Sequence, residues 1–177
     1  MTREQAEQLA REAGFDHWGI FSVDGLKFLP EVRAACEANK CGAYGKRWSC
    51  PPACGSLEEC EARARGYSWG ILLQTTGEME DDFDVEVMMD AEKQQKERFG
   101  VFCDSLTEDE QYLPLGAGAC TVCAQCTYPD APCRFPRRQH PSMEAFGLLV
   151  TDVCNAADTL YYYGPRTITY TCCVLFA

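Results

Sequence analysis

The spacing of apolar residues along the chain changes repeatedly between the periodicity of helices and that of strands. The predicted helices cover residues 2–13, 30–39, 56–65, 84–102 and 150–160, and a short helical turn begins at residue 141. The predicted strands cover residues 17–23, 69–75, 111–116 and 167–176. Thr2 with Gln5, and Ser56 with Glu59, have the spacing of a capping box, which indicates where two of the helices begin.

This order of elements predicts an α/β fold. Because strands and helices alternate, we expect a layered sandwich with a small central sheet of about four strands and helices packed on it. A length of 177 residues suits one domain, so residues 1–177 are interpreted as a single cysteine-rich domain. Pro114 places its strand at an edge or at a strand end. Cys172 and Cys173 point to opposite faces of the last strand and are interpreted as core residues.

A run of cysteines between residues 116 and 136 is the strongest chemical signal in the chain. Cys120, Cys123 and Cys126 are separated by two successive C-x2-C spacings, and Cys133 follows seven residues later, close to prolines. Three thiolates at this spacing can hold one face of a compact inorganic cluster, with the fourth ligand coming from further along the chain. Bacterial ferredoxins hold a 4Fe–4S cluster with a similar run. The spacing therefore predicts such a cluster here.

A second group of cysteines lies upstream of this run. Its members are Cys36, Cys41, Cys50, Cys54 and Cys60. Four of them could hold a second cluster, with Cys54 and Cys60 as alternatives for the fourth ligand. Alternatively, Cys50 closes the first cluster from a distance, as the fourth cysteine does in two-cluster ferredoxins. We expect two 4Fe–4S clusters. Zinc is the alternative metal, although structural zinc more often uses two separated C-x2-C pairs.

Composition and charge restrict the compartment and the partners. Thirteen cysteines without an export signal favour metal ligation in the cytoplasm over a disulfide framework. No apolar run has the length of a membrane span. A net charge of −11 disfavours nucleic acid and anionic membrane surfaces as partners. We expect either a redox protein or a small molecule as the partner.

Several stretches of the sequence together resemble a known family. They read CGAYGKRWSCPP, LGAGACTVCAQC, PCRFPRRQHPSMEAFG and TITYTCCVLF, in this order. The resemblance is to small predicted metal-binding proteins of unknown function that are widespread in anaerobic bacteria and archaea. It implies cysteine-bound metal, with 4Fe–4S expected at Cys120, Cys123, Cys126 and Cys133 and at Cys36, Cys41 and Cys50. It implies no settled reaction, and Cys54 departs from the expected ligand pattern.

Two functions from different classes fit a cluster-binding chain. The first is an electron-transfer or redox accessory protein. The second is a redox enzyme in which a cluster serves a small-molecule substrate or an organic cofactor, and it predicts an apolar pocket with polar groups close to a cluster. Residues near the second cysteine run that could serve a substrate are Arg134, Arg137, His140 and Glu144. A purely structural zinc domain is the third interpretation, and the sequence leaves open whether the protein is an enzyme.

Overall fold

A computed structural model describes residues 1–107 and 109–177 of the chain. Four strands form one sheet: β1 (His17–Ser22), β2 (Trp69–Glu78), β3 (Tyr112–Leu115) and β4 (Thr167–Phe176). Five helices accompany it: α1 (Arg3–Glu12), α2 (Pro30–Glu37), α3 (Leu57–Ala64), α4 (Val85–Asp104) and α5 (Val150–Ala156). The strand order is β1-β2-β4-β3, and every neighbouring pair is antiparallel. The predicted α/β class with a four-stranded sheet is confirmed.

The sheet separates two hydrophobic cores. On one face, Ala6 and Ala10 of α1 and Phe99 and Phe102 of α4 belong to a core that includes alternate residues of β2 and β4. On the other face, residues of α3, α5 and a 3-10 turn at Glu144–Phe146 form the second core. Cys172 lies in the first core and Cys173 in the second, as the alternation of a strand requires.

The predicted start signals of the helices are present as hydrogen bonds. The Gln5 N–H donates to Thr2 Oγ1 at 3.2 Å, and the Thr2 N–H donates to Gln5 Oε1 at 2.8 Å. Ser56 and Glu59 form the same reciprocal pair at the start of α3. Each box satisfies two backbone donors that the first turn of a helix would otherwise leave unpaired.

Two element ends differ from the sequence-based expectation by three residues or more, and the other ends of the α-helices and strands differ by one or two residues at most. β2 continues to Glu78 instead of residue 75, because its partner β4 offers paired backbone along the whole length, up to Thr167. α5 ends at Ala156 instead of residue 160. The chain turns there because Asp158 has a φ of 52°, in the left-handed region, and the Thr159 N–H bonds back to the Cys154 carbonyl.

β3 leads directly from the sheet into the cysteine run. It is an edge strand, as Pro114 predicts, and it pairs only with β4 within the described residues. The Gly116 N–H donates to the Pro141 carbonyl oxygen at 2.7 Å, and Gly116 also forms an isolated parallel bridge with Ser142. The loop of residues 117–140 therefore leaves and rejoins the sheet layer at one point.

In the described residues, none of the helices is both long and apolar enough to cross a membrane.

Gly19 of β1 lies against the end of α5, and we expect it to tolerate no side chain. An added Cβ would overlap the Ala157 carbonyl oxygen and would lie 2.9 Å from Thr159 Cγ2. Overpacking of this kind costs about 1–3 kcal/mol. Gly19→Ala should lower the free energy of unfolding by that amount in chemical denaturation. Gly25→Ala is the matched control, because an added Cβ there meets no atom within 4 Å. Equal stability of the two variants would contradict this account of the packing.

Candidate metal centre

Four partly buried thiols line one cavity in the loop that follows β3. They belong to Cys120, Cys123, Cys126 and Cys133. The hydrogen bond between Gly116 and Pro141 closes the base of the loop. Within the loop, the Ala131 N–H donates to the Thr127 carbonyl at 3.0 Å, which folds the segment between Cys126 and Cys133 back on itself. The structure thus brings together the four cysteines that the sequence assigns to one cluster.

The upstream cysteine loop docks on this cavity through three consecutive residues. Arg47 Nη1 donates to the Cys120 carbonyl at 2.7 Å. The Cys120 N–H donates to Ser49 Oγ at 3.2 Å. Trp48 Nε1 donates to the Ala131 carbonyl at 3.1 Å, and its ring meets Tyr128 edge-on, with 4.9 Å between the ring centroids. Arg47, Trp48 and Ser49 therefore form one wall of the cavity.

The wall supplies donors and positive charge to a thiolate. Burial alone would raise the pKa of Cys126. The backbone N–H groups of Tyr128, Trp48 and Thr127, together with the charge of Arg47, instead lower this pKa below its ordinary value. Proteins stabilise iron–sulfur clusters and adjust their reduction potentials through hydrogen bonds to sulfur and nearby positive charge. The environment of Cys126 thus favours the ionised form that a metal requires.

The surroundings of Cys120 shift its pKa in the opposite direction, above the ordinary value. Burial raises its pKa, and the nearby thiols of Cys133, Cys123 and Cys126 raise it further, although a hydrogen bond from the Val122 backbone opposes this effect. The three other thiols of the run thus lie within electrostatic range of Cys120. If the thiols were ionised, a bound cation would offset the repulsion between the thiolates.

The upstream group has three cysteines near one another. Cys36 is in the last turn of α2, and Cys41 and Cys50 lie on the loop that follows. Burial raises the pKa of Cys36, and the Glu144 carboxylate and the thiols of Cys41 and Cys50 add to this shift. The structure therefore brings together the three upstream cysteines that the family resemblance implies as ligands.

Cys50 lies between the two groups. Burial raises its pKa, and the thiols of Cys41 and Cys120 raise it further, whereas the Ser49 hydroxyl, 3.7 Å from Cys50 Sγ, lowers it. Cys50 is thus within electrostatic range of a cysteine from each group. The geometry keeps both of its predicted roles open, as a ligand of the upstream cluster or as a distant ligand of the other one.

Cys54 and Cys60, the alternatives for the fourth upstream ligand, form a buried pair. Both thiols are buried, and Cys60 Sγ donates to the Cys54 carbonyl oxygen at 3.6 Å. The Cys54 thiol and the guanidinium of Arg33, whose Nη1 lies 3.7 Å from Cys60 Sγ, lower the pKa of Cys60 to about 6, while the pairing raises that of Cys54. Cys60 is therefore the easier of the two to ionise. The nearby Cys50 thiol raises the pKa of Cys54.

The donor set consists of thiols, which fits a cysteine-bound metal. Within residues 1–107 and 109–177, no three His, Cys, Asp or Glu side chains converge into a site for a metal ion. Four thiols around a common cavity, with backbone N–H groups and the positive charge of Arg47 near Cys126, would suit an anionic iron–sulfur cluster. Cys120, Cys123, Cys126 and Cys133 are the residues that would hold it.

The four residues suggested for a substrate do not share one pocket. Arg134 Nη1 donates to the Gln125 carbonyl at 3.0 Å and so braces the cysteine loop itself. Glu144 lies close to Cys36. Arg137 and His140 line a second cavity, on the α4 side of the loop.

Two buried polar residues were not foreseen from the sequence. Arg33 is 7% exposed, and its guanidinium donates to the carbonyls of Ala145, at 2.6 Å, and of Gly55. Gln95 is 1% exposed on the inner face of α4. The sequence does indicate that Gln95 is buried, because it lies on the same face of the helix as the apolar residues Ala91 and Phe99. A lone arginine in a short helix carries no comparable signal.

His140 should make the protein less stable in mild acid. Burial lowers its pKa to about 4 in the folded state, against about 6.5 in an unfolded chain. The folded protein therefore binds fewer protons than the unfolded chain between these values, so the stabilisation present above pH 6.5 is lost as pH falls toward 4. The loss is at most about 3 kcal/mol. Urea denaturation of the parent and of His140→Phe across this range should show a smaller pH dependence in the variant, and identical dependence would contradict the burial effect.

Comparison with known proteins identifies the family. A family profile described as "Predicted metal-binding protein (DUF2284)" matches residues 19–176. No curated protein and no solved structure matches the chain. The matched range runs from β1 to the end of β4 and contains both cysteine groups. It confirms the resemblance found in the sequence, and the chain belongs to this family of predicted metal-binding proteins.

Proposed function

We propose that this protein binds 4Fe–4S clusters through its two cysteine groups and transfers electrons in the cytoplasm. The observation that carries the proposal is the set of four thiols around one cavity, with backbone N–H groups and the positive charge of Arg47 near Cys126. The C-x2-C-x2-C run favours a cluster over a structural zinc ion, which more often uses two separated C-x2-C pairs. Backbone N–H groups and positive charge near the thiolates also stabilise an anionic cluster.

A bound cluster would supply one-electron chemistry, and the chain's own residues would control it. Arg47 and the amide of Tyr128 would favour the more negative reduced form, because positive charge and hydrogen bonds to sulfur stabilise it. Trp48, held by its hydrogen bond to Ala131, would exclude water from one side of the cavity. Exclusion of water also changes the reduction potential of a bound cluster.

Two clusters agree best with the arrangement of the upstream group. The thiols of Cys41 and Cys50 affect the pKa of Cys36, and the Cys50 thiol affects that of Cys54, which is in contact with Cys60. The contact between Ser49 and Cys120 holds the two groups side by side. Adjacent clusters would give electrons a path from one group to the other. A redox protein is the partner that this function requires.

A redox enzyme is the second candidate function. The observation that favours it is the cavity on the α4 side of the cysteine loop, which Cys120 and His140 both line. A carrier that only passes electrons to another protein needs no such cavity. A structural zinc domain is the third candidate, and metal analysis separates it from the other two.

Cysteine substitutions test the proposal and the number of clusters together. Cys123→Ser should remove about four irons and four sulfides per chain, and Cys41→Ser should remove the other four, since each change takes one thiolate from a different group. The measurement is iron and acid-labile sulfide in anaerobically purified protein. Cys154→Ala is the matched control, because Cys154 lies on α5 with its thiol buried in the core, so this change should affect only stability.

Unchanged iron in Cys123→Ser would contradict the cluster assignment. Loss of all iron in both variants would indicate one cluster that draws ligands from both groups, with Cys50 as the distant ligand.

A further inference from the structure

Within the described residues, the first part of β4 has no neighbouring strand on its outer side. β2 pairs with the whole of β4, whereas β3 pairs with β4 only from Cys173 onward. In the part of the chain that the structure describes, the backbone of residues 167–172 makes no hydrogen bond outside its pairing with β2. This segment is the open edge of β4.

The side chains of the open edge are partly accessible. Residues 167–170 are each partly exposed. The side chain of Thr171 is buried, and its hydroxyl accepts a hydrogen bond from Gln74 Nε2 at 3.3 Å. The exposure of β4 therefore increases beyond the point where β3 ends, and the cysteine loop that follows β3 does not cover the first four residues of the strand.

Three threonines direct their backbone groups toward this edge. In an antiparallel pair, every second residue exchanges its backbone hydrogen bonds with the partner strand. The Met79 N–H donates to the Arg166 carbonyl at 2.8 Å, in the same register as the pairing of β2 with β4. Positions 166, 168, 170 and 172 are thus the ones bonded to β2. The outward N–H and C=O groups belong to Thr167, Thr169 and Thr171.

The pairing with β3 supports this direction. The Ala177 N–H donates to the Gln111 carbonyl at 3.3 Å, which extends the register of β3 and β4 by one residue. Odd-numbered residues of β4 therefore face β3, and the same alternation continues along the open edge. A row of unpaired backbone donors and acceptors is a template for pairing with another strand.

The open edge lacks the features that usually prevent such pairing. Natural sheets protect their edges with charged side chains, prolines or bulges. Residues 167–172 read TITYTC and contain no charged residue and no proline. Their pairing with β2 advances one residue at a time, without a bulge. The β-branched and aromatic residues of this segment favour strand pairing.

The sequence of the open edge is complementary to itself. When two copies pair in antiparallel orientation about Thr169, Thr167 lies opposite Thr171 of the partner subunit, and Ile168 lies opposite Tyr170 of the partner subunit. Threonine pairs and pairs of an aromatic with a β-branched residue are favourable across strands. The same register aligns each outward N–H with an outward C=O of the other copy. A second copy of this chain therefore fits the edge.

We propose that this protein forms a symmetric dimer through the open edge of β4, so that two four-stranded sheets join into one continuous sheet. Each copy offers the same segment to the other, as a two-fold interface requires. The interaction goes beyond the proposed function, because none of these contacts involves a metal. Protein without iron should therefore dimerise as well as loaded protein does.

The test is the molar mass of anaerobically purified full-length protein in sedimentation equilibrium. Each copy has a net charge of −11, so the ionic strength is held near 0.15 M, where charges are screened beyond about 8 Å. An interface of backbone bonds and a few side-chain pairs should give a Kd on the order of 10 μM. The mass should rise from that of one chain, 19.8 kDa, toward twice this value as concentration increases through the Kd.

Thr169→Lys should weaken the dimer by at least tenfold, because it places two ammonium groups on neighbouring strands about 5 Å apart. Thr76→Lys is the matched control. Thr76 is the partner of Thr169 on β2, and their hydroxyls bond at 3.0 Å, so both variants lose this bond and gain one charge. In the dimer, the two copies of residue 76 are three strand spacings apart, about 14 Å. Thr76→Lys should therefore dimerise like the parent.

Thr169→Pro is a second variant, in case Thr169→Lys fails to fold. Proline removes the outward N–H but no hydrogen bond to β2, so the strand should form while the dimer weakens. Circular dichroism checks the fold of each variant. A parent that keeps the mass of one chain at about 100 μM, tenfold above the expected Kd, overturns the proposal. A folded Thr169 variant that dimerises as tightly as the parent overturns it too, since another surface would then hold the dimer.

Discussion

The docking of Arg47 and Ser49 on the backbone of Cys120 is the interaction on which the metal centre depends. The two residues bind the carbonyl and the amide of the same cysteine. They come from a loop more than seventy positions earlier in the chain, so the contact fixes one cysteine group relative to the other. Without it, each group would be a polar loop with repelling thiols. With it, the guanidinium of Arg47 stands close to Cys126 as well.

The sheet supplies the rigid frame for this contact. β4 is buried between β2 and β3, and β3 delivers the chain to Gly116, where the cysteine loop begins. The return at Pro141 is followed by the turn at Glu144–Phe146, which is buried against α2 and α3. Arg33 of α2 bonds to the Ala145 carbonyl of that turn. The upstream helix that carries Cys36 is thereby tied to the end of the downstream cysteine loop.

Local rules explain why much of the fold could be predicted from the sequence. The capping boxes, the edge position of Pro114 and the opposite directions of Cys172 and Cys173 each depend on neighbouring residues alone. The position of Cys50 between the two groups depends instead on how two distant loops meet. The burial of Arg33 and of Gln95 also depends on tertiary contacts. Spacing predicts which cysteines belong together, but not which group Cys50 approaches.

Metal and sulfide analysis of anaerobically purified protein tests the central claim most directly, with electron paramagnetic resonance after reduction. Two 4Fe–4S clusters predict about eight irons and eight sulfides per chain and a signal from reduced clusters. About one zinc per chain without sulfide would contradict the account. The cysteine cavity would then be a structural metal site, and Arg47 would serve to hold the loop and not to tune a cluster.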